Sequence, residues 1–310
     1  MQVFRGVPAL SIGPSALTIG NFDGVHLGHQ AMLAQLRTAA KLRGLPACVM
    51  TFEPHPREFF TPHDAPTRLT TLREKLELLA DFGVDKTYVC PFNKKFSSLS
   101  AQQFIEDLLT QRLQTRWLLV GDDFRFGAKR AGDFAQLAEA APCAGFELAA
   151  MPSFTHNGER VSSTAVRNAL TRSDLARTQE LLGRAYSISG RVMHGNKLGR
   201  EIGFPTANVK MRHNRPPLMG IFAVHLHVAD TCVLPGVASL GLNPTVSNTN
   251  AAKLEVHVFD FNGDLYGQHV RVEFLKKLRD EEKYIDLETL KRQIQIDAQN
   301  ARVFLSSCTQ

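Results

Sequence analysis

The sequence has no run of apolar residues approaching the roughly 18 that a membrane span requires. Its first residues, MQVFRGVPALSIGPS, lack the charged start and long apolar core of a secretory signal. Cysteine is scarce: five residues, at 48, 90, 143, 232 and 308, with no CxxC pair among them. That spacing excludes a disulfide framework and sets a reducing, cytoplasmic compartment as the expectation. Internal repeats, low-complexity tracts and runs of five like charges are also missing. The net charge of +6 is spread along the chain, whereas nucleic-acid binders concentrate theirs. Phosphorylated small molecules suit such a mild excess, and no nucleic acid, membrane or obligatory protein partner is expected. What remains is 310 residues, 44% hydrophobic and 21% charged, enough for two soluble globular domains.

The first half alternates short apolar strands with helical patterns. Strands are expected at Ala16–Ile19, Ala47–Phe52, Asp85–Cys90, Trp117–Val120 and Glu147–Met151. Helices are expected at Gly28–Arg43, Leu72–Phe82 and Ala101–Arg112, the last with Ser100 as N-cap. That order predicts a parallel sheet covered by helices, with ligands at the carboxyl ends of the strands. Near Gly183, after a capped helix over Ser173–Leu182, the pattern changes to strand-like alternation. The expected strands are Tyr186–Val192, Ile221–Val228, Val233–Ser239, Leu254–Phe261 and His269–Phe274. Asn262-Gly263 is a hairpin signal between the last two. An antiparallel barrel or sandwich closed by one helix over Leu287–Leu305 is expected.

Two segments of the first half look built for phosphate. After the first strand comes Gly20-Asn21-Phe22-Asp23-Gly24-Val25-His26-Leu27-Gly28-His29. Glycines let backbone approach a ligand, a helix N-terminus favours an anion, and two imidazoles can donate to phosphate oxygens. A structural turn or a weak metal site would also account for the histidine pair. The run from Arg160 to Arg167, RVSSTAVR, adds hydroxyls and an arginine at a helix start, a second anion site or simply an N-cap.

The second half carries a different set. In HGNKLGREIGFPTAN (194–208), Gly195 and Gly199 bracket Lys197, with Arg200 next, a flexible cationic loop suited to a polyphosphate. It is not a Walker A loop, because no GxxxxGK[ST] occurs. Thr206 and Asn208, two residues apart on an extended segment, are hard oxygen ligands suited to Mg²⁺ beside a nucleotide. In LEVHVFDF, Leu254, Val256 and Val258 share one face, so Glu255 projects from the other, where it can serve as general base for a hydroxyl.

Together these motifs resemble the bacterial bifunctional riboflavin kinase/FAD synthetase family. GNFDGVHLGHQ, TFEPHP (51–56), VGDDFRFG (120–127) and VSSTAVR (161–167) resemble its adenylyltransferase module. GRxxGFPTAN, NPT (243–245), LEVHVFDF and LRDEEKY (278–284) resemble its riboflavin kinase module. The resemblance implies a Rossmann-like α/β nucleotidyltransferase domain over 1–183 and a six-stranded antiparallel β-barrel with a C-terminal helix over 184–310. It implies that His26 and His29 act on ATP phosphates, with Gly20, Phe22 and Asp23 lining the nucleotide site and Ser163, Thr164 and Arg167 on phosphates. It places FMN near Phe60, Asp123, Phe126 and Arg160. In the kinase it assigns Thr206 and Asn208 to Mg–ATP and Glu255 to deprotonation of the riboflavin 5′-hydroxyl. Arg279 and Tyr284 would meet the flavin, Tyr284 standing where the family more often has Phe. Riboflavin, FMN, FAD and ATP are the implied partners, with Mg²⁺ as cofactor. Two rivals stand beside this reading: an adenylyltransferase for another phosphate monoester, and a non-catalytic flavin-binding regulator on the same folds.

Overall fold

A computed structural model describes residues 1–9, 13–195, 203–212, 215–229, 232–242 and 252–307. It divides into two compact units, Met1–Pro66 with Leu72–Ser163, and Thr67–Thr71 with Thr164–Gln310.

The first unit is built on six parallel strands: β1 (Gln2–Arg5), β2 (Ser15–Ile19), β3 (Ala47–Glu53), β4 (Lys86–Pro91), β5 (Thr115–Gly121) and β6 (Glu147–Met151). Their spatial order is β1-β4-β3-β2-β5-β6. The chain therefore builds outward from β2 through β3 to β4, then returns to β5 on the other side of β2. That reversal beside β2 is where an open α/β sheet leaves a crevice for ligand. Helix α1 (Leu27–Leu42) follows β2, α2 (Pro56–Phe60) follows β3, and α3 (Leu72–Asp81) precedes β4. A short α4 (Lys94–Ser97) and α5 (Ala101–Gln103) lead into a nine-residue π-helix, Phe104–Arg112. Ser100 caps α5 as expected, its hydroxyl accepting from Gln103 N. Helix α6 (Phe134–Ala144) connects β5 to β6, and a two-stranded antiparallel ribbon of β7 (Thr155–His156) and β8 (Glu159–Arg160) follows. All five residues of β2 are buried, because this strand is covered on both faces. The edge strand β1 and helix α6 were not expected from the sequence. β1 is mostly exposed, and the alanine-rich α6 leaves only Leu137 and Ala141 buried, so neither carries a strong apolar period.

In the second unit, α7 (Ser163–Thr171) and α8 (Leu175–Leu182) precede the barrel. Asp174 caps α8 and Gly183 ends it at φ +68°, left-handed backbone that glycine adopts without cost. Strands β9 (Tyr186–Met193), β10 (Ala207–Lys210), β11 (Gly220–Val228), β12 (Cys232–Leu242), β13 (Ala252–Val258) and β14 (His269–Arg279) close into a barrel in the order β10-β13-β12-β11-β14-β9. Every pairing is antiparallel. The interior is filled by residues such as Phe222, Val256, Val272 and Phe274, all essentially inaccessible. Helix α9 (Leu287–Ser307) lies outside, its Ala298, Ala301 and Leu305 packing on Ile221, Ala223 and Val237.

The Asn262-Gly263 hairpin does not form. β13 pairs with β10 and β12, while β14 pairs with β9 and β11, so the strands flanking this dipeptide are not neighbours. β13 ends at Val258, and Asp260 takes a φ of +54°. The intervening chain instead bonds to other strands, Phe259 N to Pro235 O and Gly267 N to Val192 O. Closing the barrel satisfies more backbone than a local hairpin would, and that overrides the turn preference.

Candidate functional sites

In the first unit, the loop from Gly20 to His26 lies at the carboxyl end of β2, beside the reversal of strand order. His26 is the N-cap of α1, and its Nδ1 accepts from the backbone N–H of His29 at 3.4 Å. An accepting Nδ1 carries no proton, which leaves Nε2–H as the donor of that ring. His29 stacks on it, ring centroids 3.7 Å apart and planes 19° from parallel. Two imidazolium ions so close would repel, and burial adds to the effect. Burial, His26 and then Lys75 hold His29 well below the usual imidazole value, so its ring is neutral at ordinary pH.

The loop is held in unusual backbone. Phe22 and Val25 are fully buried yet have φ of +48° and +40°. A β-branched residue in that region is strained, and such strain persists only where its surroundings enforce it. The Phe22 ring packs beneath His29, centroids 4.9 Å apart, so what this residue presents to the strand end is backbone. Asn21 Oδ1 and His29 Nδ1 are both buried with no hydrogen-bond partner among the described residues. Asp23 is buried, and its carbonyl accepts from Ser163 Oγ at 2.9 Å. Thr164 and Arg167 belong to the second unit, where Arg167 Nε donates to Thr67 O at 2.6 Å.

The residues expected near FMN separate into two kinds. Asp123 and Arg160 form an ion pair at 2.8 Å, exposed on both sides. Phe60 is 62% exposed and packs edge-on against Phe59 and Phe92, beyond the ends of β3 and β4. Phe126, by contrast, is buried, and Phe124 stacks on it at 5.7 Å. The aromatic surface is thus offered by Phe59 and Phe60, with Phe126 as support. Sequence reasoning missed Asn21, Lys75 and Phe59, the first phenylalanine of the Phe59–Phe60 pair. Adjacent aromatics at a helix end were the available signal for the last.

In the second unit, strand register assembles the site. Asn208 on β10 is opposite Glu255 on β13, and Glu255 is in turn opposite Ser239 on β12. Leu254, Val256 and Val258 are buried on the other face, as the alternation predicted. Glu255 Oε1 pairs with Lys253 Nζ at 2.8 Å, and Ser239 Oγ donates to Glu281 Oε1 at 2.9 Å. Asn208 Oδ1 is buried without a partner among the described residues. The Asn208 amide lies against Gly195, where an added Cβ would come within 2.2 Å of Nδ2. Thr206 lines a cavity of about 270 Å³, with Val192, Val256, Val258, Leu265 and Tyr266 among its walls. Lys197, Gly199, Arg200 and the NPT motif at 243–245 lie outside the described residues.

Arg279 is fully engaged: it grips Asp297 of α9 through Nε at 2.9 Å and NH2 at 2.7 Å, and NH1 donates to Asp280 O. Its guanidinium carbon lies 5.7 Å from the centre of the Tyr284 ring. The extra hydroxyl of Tyr284 finds a partner in Glu282 Oε2 at 3.4 Å.

Two family models match this chain, FAD synthetase over residues 11–165 and riboflavin kinase over 182–305. The bifunctional riboflavin kinase/FMN adenylyltransferase of Escherichia coli K12 is 48% identical over 98% of both chains. The chain belongs to that bifunctional family. The Haemophilus influenzae member is 45% identical over 99% of this chain and all of its own. A crystal structure from Streptococcus pneumoniae, described as a macrolide-efflux protein, superposes with a TM-score of 0.83 at 28% identity, covering 97% of this chain and 98% of that one. That description concerns the other protein; among the described residues here, no helix is long and apolar enough to cross a membrane. Domain order in the family, adenylyltransferase first and kinase second, is the order of the two units.

Proposed function

We propose that the chain converts riboflavin to FAD in two ATP-dependent steps, adenylyl transfer by residues 1–183 and phosphorylation by residues 184–310. In the barrel, the riboflavin 5′-hydroxyl oxygen attacks the γ-phosphorus of ATP, Glu255 takes its proton, and ADP leaves. The observation that carries this step is the register of Asn208 against Glu255, with Asn208 Oδ1 left unpartnered. An oxygen acceptor with no hydrogen bond, two residues along the chain from the hydroxyl-bearing Thr206, fits a hard cation such as Mg²⁺. When bound there, Mg²⁺ would supply charge neutralisation on the ATP phosphates. Thr206 and Asn208 would hold it, while the cavity beside Thr206 accepts a flat ring system of a substrate. Lys253 fixes the Glu255 carboxylate in place. Arg279, Tyr284 and the loop with Lys197 and Arg200 are assigned to substrate on family resemblance; the Asp297 pair makes Arg279 a rigid wall of that site.

In the first unit, a phosphate oxygen of FMN attacks the α-phosphorus of a second ATP. The bond to the β-phosphate oxygen breaks, and pyrophosphate leaves. His26 and His29 donate to the phosphate oxygens, at a helix N-terminus whose dipole favours the anion. Gly20, Asn21 and Asp23 shape the nucleotide side, and Ser163 holds the loop through Asp23. Phe59 and Phe60 offer the flavin ring a flat apolar surface, with Asp123 and Arg160 at the rim. Cys48, Cys90, Cys143 and Cys232 are unpaired thiols, which supports a cytoplasmic setting.

Incubating the protein with riboflavin, ATP and Mg²⁺ and separating the flavins by chromatography tests the reading. FMN should appear first and FAD after it. An adenylyl transfer that prefers a phosphate monoester other than FMN would overturn the second step.

A further inference from the structure

Lys75 sits on α3, outside the sequence motifs that carry the family resemblance, and is only 4% exposed. A lysine almost never buries its ammonium without a purpose that offsets the lost hydration. Its Nζ donates to Thr51 Oγ1 at 3.4 Å, at the carboxyl end of β3. Thr51 Oγ1 in turn donates to the backbone carbonyl of Asn21 at 3.2 Å. Thr51 is itself completely buried. The chain of contacts therefore runs from α3, through β3, to the loop after β2 that bears the unpartnered Asn21 Oδ1. The same ammonium acts by its charge on His29, whose Nδ1 is likewise buried without a hydrogen-bond partner among the described residues.

We propose that Lys75 is a positioning residue for adenylyl transfer, acting on the phosphate-handling loop through Thr51 and on His29 through its charge. The inference rests on assigning adenylyl transfer to the first unit. Two effects follow from one side chain. First, Lys75 and Thr51 hold the Asn21 backbone so that the strained turn at Phe22 and Val25 keeps its shape. Second, the buried positive charge disfavours a second one nearby, so His29 stays a neutral hydrogen-bond donor as the pH falls. The titratable groups whose charge reaches His29 are His26, from the cap of α1, and Lys75, from α3. Both push in the same direction, along with burial. Removing Lys75 takes away one of the three causes, so the His29 value must rise, and the acid limb of FAD formation must move to higher pH.

The test is the pH profile of FMN-to-FAD turnover for the unaltered protein, Lys75→Met, Lys75→Arg and Thr51→Val. For Lys75→Met, kcat should fall about 10- to 10²-fold through misplacement of the loop. Its acid limb should shift upward by about one pH unit, the size of effect one nearby charge produces. Lys75→Arg should keep the acid limb, and Thr51→Val should lower kcat without moving it. Riboflavin phosphorylation by the same chains should be unchanged, and circular dichroism melts matching the unaltered protein show that the first unit is folded. An acid limb for Lys75→Met that coincides with that of the unaltered protein would overturn the proposal. Should Lys75→Met lose both activities and melt, NMR titration of His29 in the unaltered protein decides. An ordinary imidazole midpoint near 6.5 overturns the idea, and a midpoint well below it supports the idea. Failure of the unaltered protein to make any FAD would instead remove the functional assignment on which this inference rests.

Discussion

Asn208 and Glu255 stand directly opposite each other on β10 and β13, so an amide oxygen and a carboxylate 47 residues apart in sequence share one patch of the outer face. Nothing in the order of the chain requires this. It follows from which strands the closed barrel makes neighbours.

Glu255→Gln should lower FMN formation by about 10²–10⁴, the usual cost of removing a general base, and leave FMN-to-FAD conversion nearly intact. Glutamine keeps the size and polarity but cannot take the proton. Steady-state rates of the two steps on one preparation check this; normal phosphorylation by the variant would remove Glu255 from the role.

His29→Ala should reduce FAD formation by about 10²–10³ in turnover, by analogy with loss of a transition-state donor, with riboflavin phosphorylation unaffected. If His29 only stabilises the turn, the melting temperature will drop while the specific rate of adenylyl transfer holds.

Gly195→Ala tests the packing around Asn208. The new Cβ would fall 2.2 Å from Asn208 Nδ2, so the amide must move. Displacement by about 1 Å can cost 10²-fold in rate, and the loss should appear in the kinase step alone. An unaltered kinase rate would show that the Asn208 amide need not stay where it is seen.

Asp297→Asn should destabilise the barrel by about 3–5 kcal/mol, because it leaves the Arg279 guanidinium largely buried without its paired carboxylate, with Glu282 acting on it only by charge. Asp297 is 5% and Arg279 18% exposed in their side chains, so solvent screens the pair weakly. Denaturant melts followed by kinase activity will show it; a loss below about 1 kcal/mol would mean that the pair behaves like a surface contact.

A fragment starting at 184 should phosphorylate riboflavin but be less stable than one starting at 164. Helix α8, which it lacks, lies against β9 and β14. It also lacks the hydrogen bond from Lys277 Nζ to Ser173 Oγ, worth about 0.5–1.5 kcal/mol, while the bond from Tyr186 Oη to Leu69 O is lost in both fragments. Equal melting temperatures for the two fragments would contradict this.

By itself, the sequence determined whatever depends on local pattern. Alternating strands and helices announced a parallel sheet, period-two alternation placed Glu255 opposite the apolar face of β13, and the spacing of His26 and His29 put both rings at one helix end. Family motifs extended that to the chemistry of both halves. Only the tertiary structure decided which distant groups meet. Strand order set Asn208 beside Glu255 and cancelled the hairpin at Asn262-Gly263, because barrel closure joins strands that are not consecutive. Burial turned Lys75, an unremarkable helix residue in one dimension, into a cation beneath the phosphate-handling loop. It also withdrew Phe126 from the surface and left Phe59 and Phe60 exposed. Local patterns follow from backbone geometry within a few residues, whereas desolvation and charge coupling depend on what the rest of the fold brings alongside.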